Sequence, residues 1–235
     1  MLIDSEFSLP FKIPYSEHNK FTGRELFLRQ LDLALRSQEH RSRPLVLYGT
    51  GGVGKTEIVI EYAHRHQKDY SSIFWINATS LSSTYDSFRE VFGRIVRHYG
   101  RIFQTPDGLP DRARIFQLLL GDDKIVSANM VEGNVITEAI KDWLTREGNY
   151  DWLLVFDNYD DIKAYELHSF FPGGSGGSII VTSRRMNLGR AWEGLEVEDL
   201  SVAEGLQLLK RSAVMHGELS REGKQHGLWL WFAHC

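Results

Sequence analysis

The sequence predicts a three-layer α/β fold, a parallel sheet with helices on both faces, and three observations carry that prediction. Four short, almost wholly apolar runs, at Leu45–Tyr48, Ile73–Ile76, Trp152–Phe156 and Ser178–Thr182, are separated by segments of helical period. Such runs are strands covered on both faces, the condition met inside a parallel sheet. The first opens into a glycine-rich loop, Gly49-Thr50-Gly51-Gly52-Val53-Gly54-Lys55-Thr56, which fits the pattern G-x-x-x-x-G-K-[ST]. The third runs directly into Asp157 and the fourth into Ser183-Arg184-Arg185. Ligands of such sheets bind beyond the carboxyl ends of the strands, where Gly49, Asp157 and Arg184 all fall.

Residues 1–20 hold Pro10 and Pro14 among scattered apolar residues and read as an extended lead-in. Thr22-Gly23-Arg24-Glu25 fits a capping box, with Thr22 capping a helix and Glu25 reaching back. Phe27, Leu28, Leu31, Ala34 and Leu35 follow at helical spacing, and Pro44 requires the helix to stop before residues 41–44. Beyond the loop, Ile58, Val59, Tyr62 and Ala63 mark the inner face of the helix that the loop opens. A helix over 84–98 is expected from Phe88, Val91, Phe92, Ile95 and Val96, with Gly100 as its stop. Thr105-Pro106-Asp107-Gly108 is a turn, Ile115–Leu120 a short helix, and residues 121–133 carry no clear signal. Ile136, Ala139, Ile140, Trp143 and Leu144 restore a helical stripe that Gly148-Asn149 ends. No internal repeat is visible.

With 42% hydrophobic and 12% aromatic residues in 235, the chain can bury a large core. The net charge is −4 with Lys and Arg dispersed, so there is no basic stripe and nucleic-acid partners are disfavoured. A single cysteine, Cys235, excludes an internal disulfide, and the acidic opening Met1-Leu2-Ile3-Asp4-Ser5-Glu6 is unlike a signal peptide. No apolar run reaches the length that crosses a membrane. The expected location is cytoplasmic.

The glycines of the loop let successive backbone N–H groups face phosphate oxygens, and a helix beginning near Lys55 adds its positive end. Lys55 is placed to reach the outer phosphates and Thr56 to ligate Mg²⁺. Asp157 at a strand end suits Mg²⁺, directly or through water, although Asp is also a helix-capping residue. Asn158, next in sequence, cannot act as a base, so Asp160 or Asp161 would have to orient an attacking water. Arg184 can fork onto a terminal phosphate and report its presence, or be a solvated strand-end arginine; Arg185 reads as solvated or paired at the surface. Pro172-Gly173-Gly174-Ser175-Gly176-Gly177 precedes a strand and has no lysine, so it is a turn, expected to be mobile. The nine histidines show no metal-ligand spacing.

In this order the motifs resemble the NB-ARC branch of the STAND nucleotide-binding switch ATPases, over about Phe21 to Lys210. Phe21-Thr22-Gly23-Arg24-Glu25 looks like the hhGRE segment, whose backbone contacts adenine. Gly49 to Thr56, followed by Glu57, matches the Walker A loop and the first turn beyond it. Leu153-Leu154-Val155-Phe156-Asp157 is similar to the Walker B strand, with Asn158 in place of the usual second Asp. Gly177 to Arg184 looks like the sensor strand, and Leu200-Ser201 through Leu208-Leu209 resembles the start of the following helical domain. Phe74-Trp75-Ile76-Asn77-Ala78 looks most like fungal NOD-like receptors. The resemblance implies a P-loop NTPase with a five-stranded parallel sheet in order 2-3-4-1-5 and a short C-terminal helical extension.

It further implies ADP or ATP bound with Mg²⁺ at Phe21–Arg24 and Gly49–Glu57, with Lys55, Asp157 and Arg184 acting on the phosphates. Nucleotide exchange would be coupled to opening and self-association. The domain expectation is a lead-in over 1–20, a nucleotide-binding domain over 21–200, the start of a helical domain over 201–216 and an atypical, poorly ordered tail over 217–235. The family's Gly-Leu-Pro-Leu segment and Met-His-Asp motif are not found, and Met215-His216-Gly217 comes too soon to be the latter. The tail, Arg221 to Phe232 above all, fits nothing in the family, and one expectation is a truncation or misread splice product. Sequencing the transcript over codons 212–235 tests that. Two other readings stay open: a P-loop phosphotransferase acting on a small molecule or polynucleotide, and a non-catalytic partner that pairs with a full-length relative.

Overall fold

A computed structural model of the chain describes residues 9, 21–37, 43–120, 133–186, 188 and 192–215. In chain order the elements are α1 (Glu25–Arg36), β1 (Leu45–Tyr48), α2 (Lys55–Arg65), β2 (Ser72–Asn77), α3 (Leu81–Ile102), α4 (Arg112–Leu120), α5 (Gly133–Leu144), β3 (Trp152–Asp157), β4 (Gly177–Ser183), β5 (Glu193–Glu196) and α6 (Val202–Met215). The five strands are all parallel and run β2-β3-β4-β1-β5 across the sheet, the order that the resemblance implies.

Alternate side chains of each strand serve opposite faces, as a pleated strand requires. On one face Val46, Phe74, Ile76, Leu154, Phe156 and Val181 pack with Phe88, Ile95, Ile140 and Trp143 of α3 and α5. On the other, Leu45, Leu47, Ile73, Leu153, Val155 and Ile180 pack with Leu31 of α1 and Ile58, Val59 and Tyr62 of α2. Burial on both sides explains why these strands read as continuous apolar runs. Gly177 begins β4 because any Cβ there would overlap the Trp152 ring on β3. Leu9, the described part of the lead-in, is buried in the first core and donates its N–H to Ser71 O at 3.1 Å.

Several element ends differ from the sequence reading. α1 begins at Glu25 with Arg24 at its N-cap in a left-handed conformation (φ 63°) and no side-chain cap, so the capping box at Thr22 does not form. Gly23 (φ 76°) and Arg24 instead make two successive left-handed residues, and the Arg24 N–H is satisfied from a distant element. α3 starts earlier than expected, where Ser80 Oγ accepts the Ser83 N–H, and it passes through Gly100 to Ile102. Gly100 therefore serves close packing, since a Cβ would lie 3.2 Å from Pro110 Cβ. β5 carries no apolar run because it is a largely exposed edge strand, Glu193-Gly194-Leu195-Glu196.

Other boundaries agree. Gly108 (φ 77°) donates its N–H to Thr105 O at 2.8 Å, closing the expected turn. α5 ends with Gly148 at φ 94° and Asn149 Nδ2 donating to Trp143 O. No helix among the described residues is long and apolar enough to cross a membrane. The tail, its cysteine and residues 121–132 lie outside the described residues.

Candidate active site

Three neighbouring strands deliver the site. Because β4 lies between β1 and β3, the loop after β1, the aspartate ending β3 and the arginine after β4 meet at one edge of the sheet. Gly54 sits at the N-cap of α2 with φ 99° and contributes no side-chain cap, so the first turn of α2 presents N–H groups and a dipole end that suit an anion. Lys55 is buried, and its Nζ donates to Gly49 O and Thr50 O at 2.8 Å each. Burial pushes its pKa below the usual lysine value; the neighbouring Asp160 carboxylate opposes that shift and the Arg184 charge adds to it.

Asp157 is 2% exposed and holds a small network together. Its Oδ1 accepts from Thr56 Oγ1 at 2.8 Å and Thr182 Oγ1 at 2.6 Å, and its Oδ2 from Asn158 Nδ2 at 3.2 Å. Burial raises the carboxyl's pKa, and the two threonine hydroxyls hold it back. Thr182 Oγ1 also accepts the N–H of Asn158, which takes a left-handed conformation (φ 65°) just past the strand. Asn158 thus spends its side chain on Asp157 and has no acid–base chemistry to offer.

Asp160 is committed elsewhere. Its Oδ1 accepts the Arg184 N–H at 2.7 Å and the Ser183 hydroxyl at 3.3 Å, and its Oδ2 pairs with Arg184 Nε at 3.0 Å. The Arg184 guanidinium lies against the loop, so that a Cβ on Gly51 would be 3.4 Å from Cζ. Arg185 Nε donates to Asp160 O at 2.9 Å, and Asp161 Oδ1 accepts the Lys163 N–H at 3.1 Å.

On the α1 side, Arg24 Nη2 donates to Val53 O at 3.3 Å, which ties the Phe21–Arg24 segment to the loop. The Phe21 ring lies 5.9 Å from Arg65 Cζ. Thr22 and Gly23 are half-buried beside it, and Glu57 is exposed on the first turn of α2, where an acid favours the helix dipole. The donor set fits a phosphate group with a hard divalent ion: an uncapped helix start, a buried ammonium, and the Thr56 and Asp157 oxygens converging beside them.

Three contacts of this arrangement escape a reading of motifs, although Asp160 itself is read there as a candidate to orient water. Thr182 reaches Asp157 only through the strand register, and Asp160 meets Arg184 only because β3 and β4 are neighbours. Glu204 of α6 makes the third. Its Oε1 accepts the Arg24 N–H at 2.9 Å, while its Oε2 accepts from Ser201 N at 3.0 Å and Ser201 Oγ at 2.7 Å. The signal for it was Ser201-Val202-Ala203-Glu204, which fits the S-x-x-E capping pattern.

Fold and site define a P-loop ATPase domain. The family profile of the AAA ATPase domain matches residues 20–170, and the chain belongs to that family. A nucleotide-binding leucine-rich repeat (NLR)-like protein of Hyaloscypha variabilis is 28% identical over 229 residues, covering 88% of this chain and 20% of the relative. The regulatory protein AfsR of Streptomyces griseus is 25% identical over 207 residues, covering 86% of this chain and 18% of the relative. The chain therefore spans about a fifth of the length of these relatives. Among solved structures, Cdc6p of Pyrobaculum aerophilum aligns at 13% identity with a TM-score of 0.47, over 85% of this chain and 52% of its own.

Proposed function

We propose that the chain is the nucleotide-binding switch module of a signalling ATPase of the STAND class, NB-ARC branch, and that it holds ADP or ATP with Mg²⁺ in the cytoplasm. The observation that carries this reading is the buried Lys55 beside the Thr56–Asp157 pair at the start of an uncapped helix. The NLR-like relative and the regulatory relative support a signalling context. The module would span residues 21–200, with 201–216 beginning a helical domain, and self-association or pairing with full-length relatives would follow nucleotide exchange.

In this reading the loop N–H groups bind the phosphates, and Lys55 exchanges the Gly49 and Thr50 carbonyls for phosphate oxygens. Thr56 and Asp157 hold Mg²⁺, which when bound neutralises phosphate charge. Phe21 to Arg24 border the base, and Arg184 reads the terminal phosphate. Turnover is slow because the position after Asp157 is an amide and Asp160 already serves Arg184.

Equilibrium binding of ADP and ATP to the purified chain, with and without Mg²⁺, tests this. Lys55→Ala is expected to weaken ADP by about 100-fold or more, the loss of two charge-assisted hydrogen bonds at about 1.5 kcal/mol each. Unchanged ADP affinity in that variant would overturn the assignment of the loop.

A further inference from the structure

The loop end of the sheet brings charges of both signs together. Arg184 and two carboxylates, Asp157 and Asp160, each lie within electrostatic reach of Lys55. The carboxylates are used differently. Asp157 is buried and bound to hydroxyls and an amide, whereas Asp160 is partly exposed and grips Arg184 at two points, the backbone N–H and Nε. The same grip sets the guanidinium against Gly51, in the middle of the phosphate loop.

From this geometry we propose that Asp160 determines the preference of the site between nucleoside di- and triphosphates, by occupying Arg184 as an internal stand-in for a terminal phosphate. The inference rests on the nucleotide-binding reading above and adds a residue that sets its specificity. An anion that pairs with Nε and lies near Lys55 supplies the counter-charge that a γ-phosphate would bring. A triphosphate must compete with that carboxylate for the guanidinium and also meets its negative charge. A diphosphate, which makes no demand on Arg184, does neither. The result is a site biased toward the diphosphate.

Asp160→Asn keeps an oxygen to accept the Arg184 N–H and removes the charge. The test measures ATP and ADP dissociation constants for the wild type, Asp160→Asn, Arg184→Ala and the double variant, with a thermal melt of each. The expected result is a shift of the ATP-to-ADP affinity ratio by roughly tenfold toward ATP in Asp160→Asn, about the worth of one charge-assisted hydrogen bond. In the Arg184→Ala background that gain should fall to a small remainder. A merely structural role for Asp160 would lower both affinities together and leave their ratio in place.

An unchanged ratio, a ratio shifted toward ADP, or a full gain persisting without Arg184 would each overturn the proposal while leaving nucleotide binding intact. No binding of either nucleotide by the wild type would overturn the underlying reading and this inference with it, so the two failures are distinguishable.

Discussion

Thr182 shows how much of the site rests on a residue with no motif of its own. Register pairs Phe156 with Val181, so the next positions, Asp157 and Thr182, come side by side, and the hydroxyl donates to the carboxylate at 2.6 Å while accepting the Asn158 N–H. Thr182→Val preserves shape and leaves a buried carboxylate and a backbone N–H each short of a partner. A loss of about 1–3 kcal/mol is expected, and urea denaturation would measure it, with Thr182→Ser close to wild type. A valine variant as stable as the parent would show that water replaces the hydroxyl. Lys55, Thr56 and Asp157 were legible in the sequence because each is fixed by the chain immediately around it, a loop pattern or the end of an apolar run. Thr182 was not, and Asp160 was read only as a candidate to orient water, because their partners lie 25 and 24 residues away and are set by which strands pair.

At the scale of elements the same contrast holds. β1 to β4 could be read because burial on both faces leaves only apolar residues, whereas β5, an exposed edge, leaves nothing to read and followed only from the family resemblance. α6 likewise followed from the resemblance, and its contact with α1 did not. Glu204 makes that contact: its carboxylate caps α6 through Ser201 and simultaneously accepts the Arg24 N–H that starts α1. These bonds favour the ionised form, the Arg24 N–H most, and hold its pKa at about 2 against an ordinary 4.5. Because the folded-state value is lowered, the contribution of Glu204 is fully present above pH 4.5 and is lost as the pH falls through about 2. Protection of the Arg24 amide, relative to its intrinsic exchange rate, should accordingly fall across that window. Glu204→Ala, which removes the acceptor, should exchange fast at neutral pH with no such step. Equal Arg24 protection in variant and parent at pH 7 would show that α6 is held by other contacts.

For the molecule as a whole, the position of the site between two cores has a thermodynamic consequence. One core joins the sheet to α3, α4 and α5, and the other joins it to α1 and α2. The strands are common to both, and the loop, Asp157 and Arg184 rise from three adjacent ones, with Thr56 joining α2 to β3 through Asp157. A ligand held by these residues bridges elements of both cores. It should stabilise the sheet as one unit, instead of stiffening a single loop. Ligand linkage gives about 2.7 kcal/mol at 100 times the dissociation constant. For a chain of this size that corresponds to a rise in Tm of roughly 5–11 °C. Differential scanning calorimetry with ADP and Mg²⁺ should show that rise in a single transition, and Lys55→Ala should show almost none. Two resolved transitions, with only one moved by ADP, would mean that the cores unfold separately and that the ligand is held by one side of the sheet alone.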